Sequence, residues 1–184
     1  MRIQLKNTST DYGWIAIGLH WLVAVTAIGL FALGLWMVDL DYYDPWYRRA
    51  PDIHRATGIL LGLVVISRLL WRLFTITPDA EPGLSHFERV AARFVHWLFY
   101  GLLILLVVSG YLISTADGRP IDVFGLFAVP ATVSGIEGQA DVAGDVHWAV
   151  ALALIGLACL HATAALKHHF FDRDRTLKRM LGIG

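Results

Sequence analysis

Four long apolar stretches dominate the hydrophobic pattern of this 184-residue chain. They cover residues 14–38, 53–74, 94–114 and 146–167, and each is long enough to cross the ~30 Å hydrocarbon core of a bilayer as a helix. Polar segments containing Pro, Gly and Asp separate them, as is typical of loops. The pattern predicts an all-α fold, an integral membrane four-helix bundle built as a single domain over residues 1–184.

The charged residues are few and unevenly placed. Only 16% of the chain is charged, against about 25% in a typical soluble domain. Eleven of the fifteen Lys and Arg residues lie at the termini or around the second loop, and the remaining four are Arg48, Arg49, Arg55 and Arg119. Because cytoplasmic segments are enriched in Lys and Arg, we expect both termini in the cytoplasm and the first and third loops outside.

Five of the eight histidines fall within or at the ends of the predicted spans, whereas His86 is expected in a loop. The five are His20, His54, His96, His147 and His161. An ionisable side chain inside a membrane is costly and indicates a functional site with a partner. The histidines are therefore the candidate chemistry of the chain.

Two of them share the fourth span. His147 and His161 are fourteen residues apart, which puts them about 40° from the same helix face and about 21 Å apart along the axis. One metal cannot bind both, so the spacing predicts two sites at two depths. The predicted depths of the histidines in the membrane pair His54 with His147, and they leave His20 and His96 as alternative partners of His161.

Paired imidazoles from facing helices suit a haem iron. A zinc site would need three or four protein ligands, often with thiolate or carboxylate, whereas a haem needs only two axial ligands. The single cysteine, Cys159, excludes the CxxCH motif of covalent haem attachment. Two axial histidines leave no open position on the iron, which favours electron transfer over oxygen binding.

Several motifs in this pattern resemble the bacterial cytochrome b561 family and, more distantly, the cytochrome b subunits of nickel–iron hydrogenases and formate dehydrogenases. They are Gly-Leu-His-Trp at 18–21, His-Arg-Ala-Thr-Gly at 54–58, Val-His-Trp-Leu-Phe-Tyr at 95–100, Val-His-Trp at 146–148 and Leu-His-Ala-Thr-Ala-Ala-Leu-Lys-His-His-Phe at 160–170. The resemblance runs through nearly the whole chain.

The resemblance implies two non-covalent haem b groups in a multi-pass protein of the bacterial inner membrane. It implies that His20 and His161 hold the cytoplasmic-side haem iron, that His54 and His147 hold the outer one, and that His96 is not an axial ligand. It also implies an oxidoreductase that passes electrons from an outer-face donor, with superoxide as the candidate, to ubiquinone. Expected partners are lipid, quinone and a redox partner protein, without nucleic acid.

Three further residues are candidates for binding. His168 lies seven residues beyond His161, which puts it about 20° from the same face of an ideal helix. We expect His168 and His96 to contact the quinone. Arg55 follows His54 directly and is expected to bind a haem propionate or a small anion. The apolar third loop is expected to lie at the membrane interface as a lid over the outer haem.

Two other functions remain open at this stage. The chain could serve as a cytochrome b anchor and electron conduit for a partner dehydrogenase or hydrogenase. A function of a different class is the transport of metal ions by intramembrane histidines. An absorption spectrum distinguishes a colourless transporter from a red haem protein.

Overall fold

A computed structural model describes residues 4–183, and it contains four long helices and a short hairpin. The long helices are α1 (Trp14–Met37), α2 (Arg49–Phe74), α3 (His86–Thr115) and α4 (Gln139–Lys167). Between α3 and α4 run β1 (Ile121–Val123) and β2 (Phe127–Val129), and a π-helical turn (His168–Asp172) and α5 (Thr176–Leu181) follow α4. All four long helices are long and apolar enough to cross a membrane, so the prediction of an all-α membrane bundle is confirmed.

Consecutive helices pack against each other, α1 against α2, α2 against α3, and α3 against α4. The hairpin and the loops at residues 38–48 and 116–138 lie at one end of the bundle, here called the hairpin end. The segment 4–13, the loop 75–85 and residues 168–183 lie at the other, here called the terminal end. Many apolar side chains on the outer surfaces are exposed, Val25 and Phe94 at 65% each, as expected of helices in lipid.

A layer of buried apolar residues joins the helices near mid-height. All four long helices contribute to it, with the members Val23, Leu61, Val65, Tyr100, Leu103 and Leu154. Leu154 is seven residues from both His147 and His161, so the layer lies about 10.5 Å along α4 from each. The core therefore separates the two depths at which the histidines occur.

Helix α3 begins earlier than the hydropathy pattern predicted. The Ser85 hydroxyl accepts a hydrogen bond from the Glu88 amide at 3.2 Å, and the Glu88 carboxylate accepts one from the Ser85 amide at 2.9 Å. This capping box starts the helix at His86. The prediction that His86 lies in a loop is therefore wrong, because the polar first turns of α3 lack the apolar pattern by which the span was recognised.

The third loop contains a hairpin that the sequence did not predict. Ile121 pairs with Val129 and Val123 with Phe127, and the turn takes Phe124 and Gly125 through positive φ angles of 53° and 72°. Strand β1 packs against α2, with Val123 fully buried. The apolar run that suggested an interfacial loop is thus explained in part by the packing of this strand.

At the terminal end, α5 is tied to the start of the chain and to the second loop. Trp21 donates from its indole N–H to the Met180 carbonyl at 2.8 Å. The buried Arg179 guanidinium donates to the Asp79 carbonyl at 3.0 Å and to the Glu81 carboxylate at 3.1 Å. It also lies over the Tyr12 ring, 5.6 Å from its centre.

We predict that Arg179→Ala destabilises the bundle by about 2–3 kcal/mol, because it removes a charged hydrogen bond and leaves the Glu81 carboxylate unpaired. Thermal unfolding in detergent measures the change. The neighbouring Lys178→Ala removes an exposed cation and should leave the midpoint unchanged. Equal midpoints for the two variants would contradict a stabilising role for Arg179.

Candidate functional site

Toward the hairpin end, His54 of α2 and His147 of α4 face each other inside the bundle. Their ring centres are 6.2 Å apart. Each ring lies against a glycine of a neighbouring helix. A Cβ atom on Gly34 would come within 3.4 Å of His54 Cε1, and one on Gly110 within 3.2 Å of His147 Cε1. The glycines of α1 and α3 thus give the two imidazoles room beside the backbone.

A serine on α3 orients the His147 ring. The Ser109 hydroxyl lies 2.7 Å from the Leu105 carbonyl and 3.0 Å from His147 Nδ1. Because a hydroxyl has one hydrogen, and a carbonyl can only accept it, we assign the second contact as His147 Nδ1–H donating to Ser109. This tautomer leaves the Nε2 lone pair of His147 available for a metal.

The second pair lies toward the terminal end. The ring centres of His20 on α1 and His161 on α4 are 6.5 Å apart. His96 of α3 is also close, at 5.5 Å from His161, so both partners that depth allowed are present at this level. The Phe99 ring packs edge-on against His161 at 5.4 Å.

Arg68 of α2 is the residue of this region that sequence reasoning did not single out as functional. Its Nη2 atom lies 2.9 Å from His20 Nδ1, and its guanidinium stacks over the Tyr100 ring at 5.5 Å. The signal that could have found it is an arginine within an otherwise apolar span, which by itself indicates a site. Ser109, Gly34 and Gly110 carry no comparable signal, because small residues line most interfaces between membrane helices.

The structure places His168 in an ionic cluster at the terminal end. Its Nδ1 atom is 2.7 Å from the Asp172 carboxylate and 3.2 Å from that of Asp174. The Lys167 ammonium bridges Asp172 at 2.8 Å and Glu88 at 3.1 Å. The π-helical turn begins at His168, so the ideal helical spacing used to place this ring beneath His161 does not apply beyond Lys167.

At the hairpin end, two of the four cations are held by carboxylates. Arg55 pairs with Asp52 and donates to the Pro51 carbonyl at 3.3 Å. Arg119 pairs with Asp117 and donates hydrogen bonds to its carboxylate from both its side chain and its backbone amide. These hydrogen bonds hold the pKa of the Asp117 carboxyl below its usual range. Arg48 and Arg49 are exposed and form no ion pair within residues 4–183.

A family model described as prokaryotic cytochrome b561 matches residues 11–182. The chain belongs to the prokaryotic cytochrome b561 family. A relative named cytochrome b561 homolog 2, from Escherichia coli K12, is 51% identical over 98% of this chain and 96% of its own length. A protein named probable superoxide oxidase CybB, from Yersinia pestis, is 32% identical over 92% of this chain and 95% of its own.

Family membership makes this chain a membrane electron-transfer protein of the cytochrome b561 type. It implies haem b as the cofactor, and with the four spanning helices it assigns the chain to the bacterial inner membrane. Cytochrome b561 homolog 1 of Escherichia coli K12, a third relative, is 25% identical over 90% of this chain.

The sequence-based expectation that His147 is a haem ligand predicts that Ser109→Ala weakens haem binding in this cytochrome b561 about tenfold or more, because His147 loses the acceptor that fixes its tautomer and ring orientation. The rate of haem loss to excess apomyoglobin measures the change. Ser67→Ala is a matched control, since Ser67 donates to the Leu63 carbonyl at 2.8 Å in the same way but is exposed to lipid and has no histidine partner. If the two variants lose haem at the same rate, Ser109 has no role in ligand orientation.

Proposed function

We propose that this cytochrome b561 carries two haem b groups, one at each histidine pair, and transfers electrons across the membrane between a donor at the hairpin end and ubiquinone. His54 and His147 are the proposed axial ligands near the hairpin end, and His20 and His161 those near the terminal end. Haem b supplies reversible one-electron chemistry at both positions. The observation that carries the proposal is the presence of two imidazole pairs at the spacing that one iron requires.

The spacing follows from the size of the ligands. An imidazole nitrogen binds a first-row metal at about 2.0–2.1 Å, and the ring centre lies about 1.1 Å further on, so two rings on opposite sides of one iron have centres about 6.3 Å apart. The measured separations are 6.2 Å for His54–His147 and 6.5 Å for His20–His161. The His96–His161 separation of 5.5 Å is shorter, which favours His20 as the partner of His161.

The surroundings of the hairpin-end pair also suit haem. The Ser109 contact leaves His147 Nε2 free for iron, and His54 Nδ1 has no hydrogen-bond partner in the described part of the chain. Two strong axial ligands leave no position for oxygen, so these residues favour electron transfer. The apolar layer around Leu154 lies between the pairs and provides no charged groups for ion passage.

The orientation follows the distribution of cations. Within residues 4–183, ten Lys and Arg residues belong to the terminal end and four to the hairpin end, so we propose a cytoplasmic terminal end. The hairpin end then faces the periplasm, where an outer-face donor would arrive.

Superoxide is the proposed donor. The name of the Yersinia pestis relative supports it, and so do the exposed cations Arg48 and Arg49, which lie within six residues of His54. With Arg55 and Arg119 held by carboxylates, Arg48 and Arg49 are the proposed source of steering for a small anion. Of the two roles expected for Arg55, this arrangement favours binding of a haem propionate over binding of the small anion.

Ubiquinone is the proposed acceptor at the terminal end, with His96 and His168 as candidate contacts. A polar cleft of about 540 Å³ opens here between α2 and α3, lined by Arg72, Thr75, Arg93 and Trp97 among others. Its lining residue Trp97 directly follows His96 in the sequence, which supports a quinone site near the second histidine pair.

We expect the purified protein to be red with two haems per chain, and His147→Leu to retain one. His96→Leu should retain both, since His96 is not a proposed ligand. Pyridine haemochrome analysis against protein concentration gives the ratio. A colourless protein would favour the transporter, two haems in His147→Leu would contradict the hairpin-end pair, and loss of a haem in His96→Leu would contradict the second pair.

We expect superoxide to reduce the oxidised protein in stopped-flow absorption, and Arg48→Gln/Arg49→Gln to slow the reaction several-fold and weaken its salt dependence, because steering is electrostatic. Arg89→Gln is the control, since it removes an exposed cation at the opposite end. Absence of reduction above the buffer background would exclude superoxide as donor. Co-purification with a dehydrogenase would then favour the alternative function, a membrane anchor and electron conduit for that enzyme.

A further inference from the structure

The two histidine pairs differ in their electrostatic surroundings. Arg68 brings a guanidinium to 2.9 Å from His20, and no carboxylate within residues 4–183 forms an ion pair with it. An arginine keeps its charge in proteins. The pair near the terminal end therefore lies beside a permanent, uncompensated cation.

The pair near the hairpin end has a neutral neighbour instead. Ser109 is the group in hydrogen-bond contact with His147, and His54 Nδ1 has no partner among the described residues. The nearest cation along the chain, Arg55, is neutralised by Asp52. The fold thus places a positive charge at one depth and leaves the other neutral.

A nearby cation changes a redox equilibrium in a known direction. Reduction of a haem iron removes one positive charge from the site, so a fixed cation stabilises the reduced form relative to the oxidised form. The effect is larger in the low-dielectric interior of a membrane helix bundle than at an exposed position, where water and salt screen it. Charged groups that contact the metal ligands are one of the means by which proteins set metal potentials.

We propose that Arg68 raises the midpoint potential of the haem held by His20 and His161, and so directs electrons from the hairpin end toward the terminal end. The proposal rests on the two-haem arrangement proposed above and adds to it the residue that makes the potentials of the two sites differ. In each transfer one electron leaves the ferrous haem near the hairpin end and reduces the ferric haem near the terminal end, with no bond made or broken.

The proposal does not depend on the tautomer of His20. If His20 binds iron through Nε2, its Nδ1 carries a hydrogen and the Arg68 guanidinium turns to another acceptor, such as a propionate. The charge stays at the same depth, because Arg68 is fixed in α2 and packs on the buried Tyr100 ring. Replacing Arg68 disfavours the reduced haem whether Arg68 contacts His20 or a propionate. In the first case the site loses its cation, and in the second the propionate loses its partner.

The test is a potentiometric titration of purified holoprotein, followed by the haem α-band, for Arg68→Gln and Arg68→Lys. At a fixed ambient potential, we expect Arg68→Gln to lower the ratio of reduced to oxidised haem about tenfold at one of the two sites, equivalent to 59 mV for one electron. Arg68→Lys keeps the charge and should stay near wild type. Arg89→Gln removes an exposed cation from the first turn of α3 and should shift neither site.

Single-haem variants assign the affected site and provide a second test. His147→Leu isolates the haem near the terminal end and His20→Leu the other, and we expect the first to titrate at the higher potential. Unchanged potentials in Arg68→Gln would overturn the proposal. If Arg68→Gln lost its haem, the reverse order in the single-haem variants would overturn it. Failure of the proposed function would be distinguishable, because wild-type protein would then not contain two haems.

Discussion

The arrangement of this protein depends on the cost of placing polar imidazole rings inside a membrane. A neutral histidine in hydrocarbon needs a partner for its ring nitrogens, and no water is available there to provide one. The rings lie in the bundle interior, with His54 facing His147 and His20 facing His161. Ser109 contacts His147 and Arg68 contacts His20, whereas His54 Nδ1 has no partner in the described part of the chain. Packing and loops can vary around these pairs, but the four helices must stay in register for the rings to meet.

The register is set chiefly by α4, which contributes a histidine to each pair. Leu154 lies midway between them on the same helix, and it packs in the apolar layer to which every long helix contributes. The fourteen-residue spacing along α4 sets the separation of the sites, and the Leu154 contacts hold that helix in place against the other three. The terminal end adds a second constraint through Trp21 and Arg179, which tie α5 to α1 and to the second loop.

The spans and the depths of the histidines could be predicted from the sequence because hydropathy and helical rise are regular quantities. The prediction that His86 lies in a loop was wrong because a capping box outside the apolar stretch starts α3. The surroundings of His168 were not predictable, since a π-helical turn breaks the helical spacing there. Arg68 and Ser109 reach their histidines from other helices, and a single sequence does not record such side-chain contacts.

The double role of α4 has a consequence for the order of biogenesis. The first three helices are synthesised before residue 139 is made, and they supply only one histidine to each proposed haem position. Neither position has both of its proposed ligands until the last span is inserted. Cofactor capture is then a late event of assembly, and a chain truncated before His147 would have no complete site.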